Sequence, residues 1–146
     1  MTSYKIMGEF FKLKRVVNLK MVNSLKSLRF GPKQAVVLVC ATKYGSISSA
    51  KLADLTLSDP AAISRSIDIL AKHGLMRRKV SSTYRRTWQL ILTREGKQAA
   101  GKVKEILNSV AKDVFGILSL SEQKYLVSLL SRLIENTVGD NIKKGD

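Results

Sequence analysis

Cysteine is nearly absent from this sequence. Cys40 stands alone among 146 residues, so no internal disulfide can form, and a reducing compartment, the cytoplasm, is expected. Histidine is as scarce. His73 and Cys40 cannot together make a zinc site, and neither a metal nor an organic cofactor is expected. No apolar run approaches the roughly 18 residues of a membrane span, which argues against a transmembrane helix and a membrane partner. The first residues lack a continuous apolar stretch and a small-residue cleavage site, so no secretory signal is expected. Also missing are a phosphate-binding glycine loop, a nucleophile elbow and a His-Glu-x-x-His helix. With no other catalytic constellation, the chain reads as a non-enzyme. Acids are few: 11 Asp and Glu stand against 26 Lys and Arg, a formal charge of +15.

What is present is a globular composition, 45% hydrophobic, at a length suited to about one domain. The charge excess favours a polyanionic partner, although basic surface also serves solubility. Its distribution is informative. Residues 1–30 carry seven basic side chains against Glu9, and residues 72–104 carry ten against Glu95. A local excess implies a face.

Apolar steps of three and four through Ile6, Phe10, Leu13, Val17, Met21, Leu25 and Leu28 predict a helix over 4–28. Gly31-Pro32 interrupts it, and a second, strongly apolar helix is expected over 33–44, buried at the centre, with Cys40 as inert packing. Its β-branched content would also permit a strand. A polar link, Ser46-Ile47-Ser48, leads to a short helix over 50–55 with Ser48 or Ser49 as cap. Asp59-Pro60 is a strong start for a third helix, which ends near His73 and Gly74. Ile63, Ile67 and Leu70 face inward there, while Ala61, Ala62, Ser64, Arg65, Asp68 and Lys72 face outward. Two strands, 75–80 and 87–92, flank a basic tip at 81–86. Thr93 caps a long helix over 94–118, Ser121 caps a last one over 122–138, and residues 139–146 form a flexible tail.

Two short helices, a tight turn and a basic hairpin make a winged helix-turn-helix. The expected fold is mainly α with a small β-hairpin wing, flanked by N- and C-terminal helices. A helix fits the DNA major groove, where all four base pairs differ. Ala61, Ala62 and Ser64 would let the backbone approach the bases, Arg65 projects from the same face, and Arg85 and Arg86 could enter the minor groove or grip phosphates. The apolar sets of the first and last helices exceed what one thin domain can cover, which predicts a homodimer.

The order and spacing of several short segments carry a resemblance. They are Leu52-Ala53-Asp54-Leu55, the run from Asp59-Pro60-Ala61-Ala62 to Leu70, and Gly74-Leu75-Met76-Arg77-Arg78. Arg85-Arg86, Leu92-Thr93-Arg94-Glu95-Gly96 and Leu120-Ser121-Glu122 complete the set. Over roughly residues 31–135 the sequence resembles the MarR family of bacterial transcription regulators. The resemblance implies a dimer packed through its terminal helices, with residues 1–30 as an N-terminal dimerisation helix, 31–93 as the DNA-binding domain and 94–138 as a long helix plus a C-terminal dimerisation helix. It implies Ala61, Ala62, Ser64 and Arg65 as base-facing, Arg85 and Arg86 as wing-tip contacts, a repressor reading a pseudo-palindromic operator in double-stranded DNA, and a small aromatic or phenolic anion as effector. Tyr84 stands where the family wing carries an Asp before its two arginines. The other class of function compatible with the basic face is a winged-helix module that docks an acidic protein.

Overall fold

The computed structural model describes residues 1–80 and 88–142, the backbone alone beyond 138, and divides into two units, Met1–Val110 and Ala111–Asp146. In the first unit, α1 (Thr2–Leu25) runs into a 3-10 turn, Lys26–Leu28. The tightening precedes Arg29, whose φ is 63°, and the Gly31-Pro32 break, so the last turn narrows instead of continuing as α-helix. Only the C-terminal end of α1 enters the core, through Met21 and Leu25.

α2 (Pro32–Ala41) starts with Gly31 in extended conformation and Pro32 in the first turn, and the Gln34 side chain accepts a hydrogen bond from the Gly31 amide at 3.0 Å. Its β-branched residues do not form a strand, because this start is pre-organised for a helix and α1, α3 and α4 all pack on it. Ala35, Val37, Leu38 and Ala41 are buried, but Cys40 is only half-buried and Val36 is exposed. The helix stops three residues before the expected Tyr44, where bonds from Lys43 to Cys40 and from Tyr44 to Ala41 tighten the chain. α3 (Ser49–Thr56) is capped by Ser48, whose hydroxyl accepts from the Lys51 amide at 3.1 Å. It closes with Leu57 left-handed at φ 50°.

α4 (Pro60–Lys72) is capped by Asp59, which accepts from the amides of Ala61 and Ala62. Ile63, Ile67 and Leu70 are buried, as the periodicity requires. At the other end Gly74 takes φ 71°, and the bonds Leu75 to Leu70 and Gly74 to Ala71, both 2.9 Å, satisfy the last carbonyls. His73 sits at this end and its Nδ1–H donates to the Ile69 carbonyl at 2.7 Å.

β1 (Met76–Val80) pairs antiparallel with β2 (Trp88–Leu92), in register from Met76 opposite Leu92 to Val80 opposite Trp88. Leu90 is buried, whereas Trp88 is 56% exposed. The polar link before α3 is not a plain loop: Ile47 bridges to Leu90 through two backbone bonds of 3.0 and 2.7 Å. α5 (Arg94–Phe115) begins at Thr93, whose hydroxyl donates to the Gly74 carbonyl at 2.6 Å and accepts from the Gly96 amide at 3.0 Å.

The second unit holds the end of α5 and α6 (Leu120–Ile142). Ser119, not Ser121, caps α6. Its hydroxyl accepts from the Glu122 amide at 3.2 Å and its own amide donates to Glu122 Oε2 at 2.7 Å. The Ser-x-x-Glu reciprocity decides the choice, because only a residue three before Glu122 can form both bonds. α6 also reaches Ile142, four residues past the expected end. Ile117, within the span expected for the long helix over 94–118, lies beyond the end of α5 and is 91% exposed. Among the described residues no helix is long and apolar enough to cross a membrane, and no group of three or more His, Cys, Asp or Glu is placed to hold a metal ion.

Candidate nucleic-acid interface

The helix-turn-helix is held from behind. Ser66, on the inward side of α4, is the buried polar residue of the core, and its hydroxyl accepts from Gln34 Nε2 of α2 at 3.2 Å. Gln34 thereby caps its own helix and anchors α4 with one side chain. Sequence periodicity missed this link, since a serine on an otherwise apolar face shows no partner until α2 is laid against it.

With that face fixed, the other face of α4 is open. Ala61, Ser64 and Arg65 are exposed, in line with Asp68 and Lys72. Ala62 departs from the expected set: it is half-buried and lines a cleft against α1 and α2. One residue is a 100° rotation on a helix, which turns Ala62 sideways from Ala61. The side chains of Ala61 and Ser64 are small, and Arg65 is the first cation along α4.

Asp68 has a partner. Arg78 Nη2 of β1 lies 2.7 Å from its Oδ1, joining the helix to the first strand of the hairpin. Both side chains are substantially solvated, so this pair is worth at most about 1 kcal/mol. Its main effect is positional, because it holds β1 against the outward edge of α4. The junction with α5 is tighter. A Cβ added at Gly96 would lie 1.8 Å from the Leu75 carbonyl oxygen, so the start of α5 rests directly on the backbone that leaves α4. Arg85 and Arg86, expected at the wing tip, and Tyr84 beside them lie outside the described residues.

The cleft that Ala62 lines has a volume of about 510 Å³ and runs from Lys14 of α1 past Lys33, Val36 and Val37 of α2 to Asp59 and Ile63. It joins an apolar wall to two cations and touches the cap of α4.

Comparison with known proteins bears on this geometry. Residues 31–87 match the family model described as the MarR family. No curated protein matches the chain. Among solved structures, AbsC, a MarR family transcriptional regulator from Streptomyces coelicolor, superposes with a TM-score of 0.85 at 19% identity, covering 94% of this chain and 95% of that one. A cysteine-to-serine mutant of MarR from E. coli, complexed with operator DNA, gives 0.81 at 18% identity, covering 89% and 94%. Bordetella bronchiseptica BpsR, described for the regulation of its DNA binding by 6-hydroxynicotinic acid, gives 0.82 at 19% identity, covering 88% and 91%. The fold is shared with all three.

Proposed function

We propose that this chain, a MarR-family segment over residues 31–87 within a winged-helix fold, is a dimeric, sequence-specific DNA-binding transcription regulator that acts as a repressor. The observation that carries the reading is the exposed N-terminal face of α4, where Ala61 and Ser64 leave room and Arg65 projects. In this reading α4 enters the major groove, Arg65 forks onto a guanine, and Arg85 and Arg86 meet the minor groove or the backbone. Two copies related by a two-fold axis read half-sites of a pseudo-palindrome about one helical turn apart.

Selection of bound sequences from a random duplex pool tests it, followed by affinity measurements on Arg65→Ala. A lost bidentate contact weakens the selected site by about 1–3 kcal/mol and relaxes preference at one position per half-site. Equal weakening on selected and random duplexes assigns Arg65 to phosphate instead.

The cleft at Ala62 supports the further reading that a small aromatic anion controls binding. Val36, Val37 and Ile63 offer apolar contact and Lys14 and Lys33 offer charge, beside the Asp59 cap of α4. Salicylate serves as a probe. Release of duplex DNA by salicylate, abolished in Lys14→Ala/Lys33→Ala, is the supporting outcome.

A further inference from the structure

A second concave surface of the first unit, sharing no lining residue with that cleft, is strongly basic. It is a groove of about 780 Å³ between the segment after α2, the hairpin and α5, and Lys43, Arg77, Lys79, Lys97 and Lys104 line it. Among the described residues no acid lines it. Among the described residues none of these five cations has a salt-bridge partner; the ion pairs present are Lys12 with Glu9 and Arg78 with Asp68.

The arrangement follows from two periodicities. On β1, Arg78 turns toward α4 and Asp68, so Arg77 and Lys79, one residue either side, point to the opposite face. On α5, positions 97, 100, 101 and 104 share one helix face. Lys97 and Lys104 thus stand about 10 Å apart along the axis, with Ala100 and Gly101 between them. Those two residues make the floor. Ala100 is buried, and a Cβ added at Gly101 would meet nothing within 4 Å. Ile91, opposite Arg77 in the register, adds apolar surface on the hairpin side. Small residues between flanking lysines produce a depression rimmed by charge, where larger ones would fill it.

We propose that this groove binds a small polyphosphorylated ligand, with its phosphates on the lysines and arginine of the rim and the remainder over the floor of Ile91, Ala100 and Gly101. Charge number decides the ligand class. Cations gathered around one depression lie within about a Debye length of one another and repel. A monoanion relieves one of them, whereas a chain of phosphates engages several through charge-assisted hydrogen bonds. The volume is in the range of about 300–1,000 Å³ typical of small-molecule sites. The site is separate from the exposed face of α4, so it can be tested independently of DNA recognition.

The experiment is isothermal titration of the full chain with tripolyphosphate, with pyrophosphate and orthophosphate as a charge series. Saturable binding at one tripolyphosphate per chain is expected, weakening down the series. Lys97→Gln/Lys104→Gln should weaken it by about tenfold or more, the effect of losing hydrogen bonds to charged groups. Gly101→Leu should weaken it comparably without changing charge, because it fills the floor; helix propensity favours this substitution, and circular dichroism checks the fold. Arg65→Ala should leave it unchanged. Adenosine triphosphate binding more tightly than tripolyphosphate assigns a nucleotide, and equal binding assigns the phosphate chain alone. Affinity unchanged in Gly101→Leu and in the double variant means diffuse surface charge and overturns the proposal. So does loss of random-duplex binding in the double variant with tripolyphosphate binding intact, which assigns the groove to DNA.

Discussion

Two glycines of α5 sit in opposite surroundings. At Gly96 a Cβ would overlap the Leu75 carbonyl oxygen, while at Gly101 it would meet open space. Gly96→Ala must therefore displace backbone where α4, β1 and α5 converge. It should destabilise the fold by about 1–3 kcal/mol, the usual cost of overpacking, although alanine is otherwise the better helix former. Gly101→Ala should stabilise by up to about 1 kcal/mol through helix propensity alone. Urea unfolding of the two variants at one fixed protein concentration checks the opposite signs. The sequence alone does not show that one glycine meets backbone and the other open space.

The ends of the elements decide their geometry. Ser119 and Glu122 share two reciprocal bonds at the start of α6, while the Ser121 hydroxyl contacts that of Ser119 at 3.1 Å. Ser119→Ala should cost about 1 kcal/mol, the typical value of a lost N-cap, and Ser121→Ala a few tenths at most. Thermal unfolding of both variants followed by circular dichroism makes the comparison. The hairpin carries a second prediction. Arg85 and Arg86 belong to the segment between β1 and β2 and have Tyr84 beside them in place of an acid. If each neutralises one phosphate, Arg85→Ala/Arg86→Ala should flatten the dependence of log K on log salt by up to about two per subunit, on every duplex alike. A salt titration on one selected and one scrambled duplex measures it, and an unchanged slope means that the wing does not touch DNA.

For the whole molecule, the unburied apolar surface matters most. Ile6, Phe10 and Leu13 of α1 are 61%, 50% and 42% exposed, and in the second unit Leu130 and Leu133 of α6 are 40% and 61% exposed. A soluble chain rarely leaves such stripes in water. Sedimentation velocity at micromolar concentration should show a dimer, and Phe10→Asp/Leu133→Asp should shift it to monomer. A wild-type monomer under those conditions removes the basis for a two-fold operator.

Much of this architecture was legible in the sequence because it rests on local chemistry. Asp59-Pro60 dictates where α4 begins, since the carboxylate caps and the ring fits the first turn. Gly74 dictates where it ends, since its φ of 71° suits glycine. The inward line Ile63, Ile67, Leu70 follows from the helical period, and with it the outward placement of Ala61, Ser64 and Arg65. Other features depend on residues distant along the chain. Ile47 acquires its strand-like bridge only when β2 lies beside it, Ser66 its partner only when α2 supplies Gln34, and Ala62 its sideways position only against α1 and α2. The charged groove is the extreme case. Lys43, Arg77 and Lys97 are separated by loops and helices in sequence, and no periodicity links them. Their juxtaposition was decided by the packing of the hairpin against α5, because side chains from three elements converge only once the backbone between them has been placed.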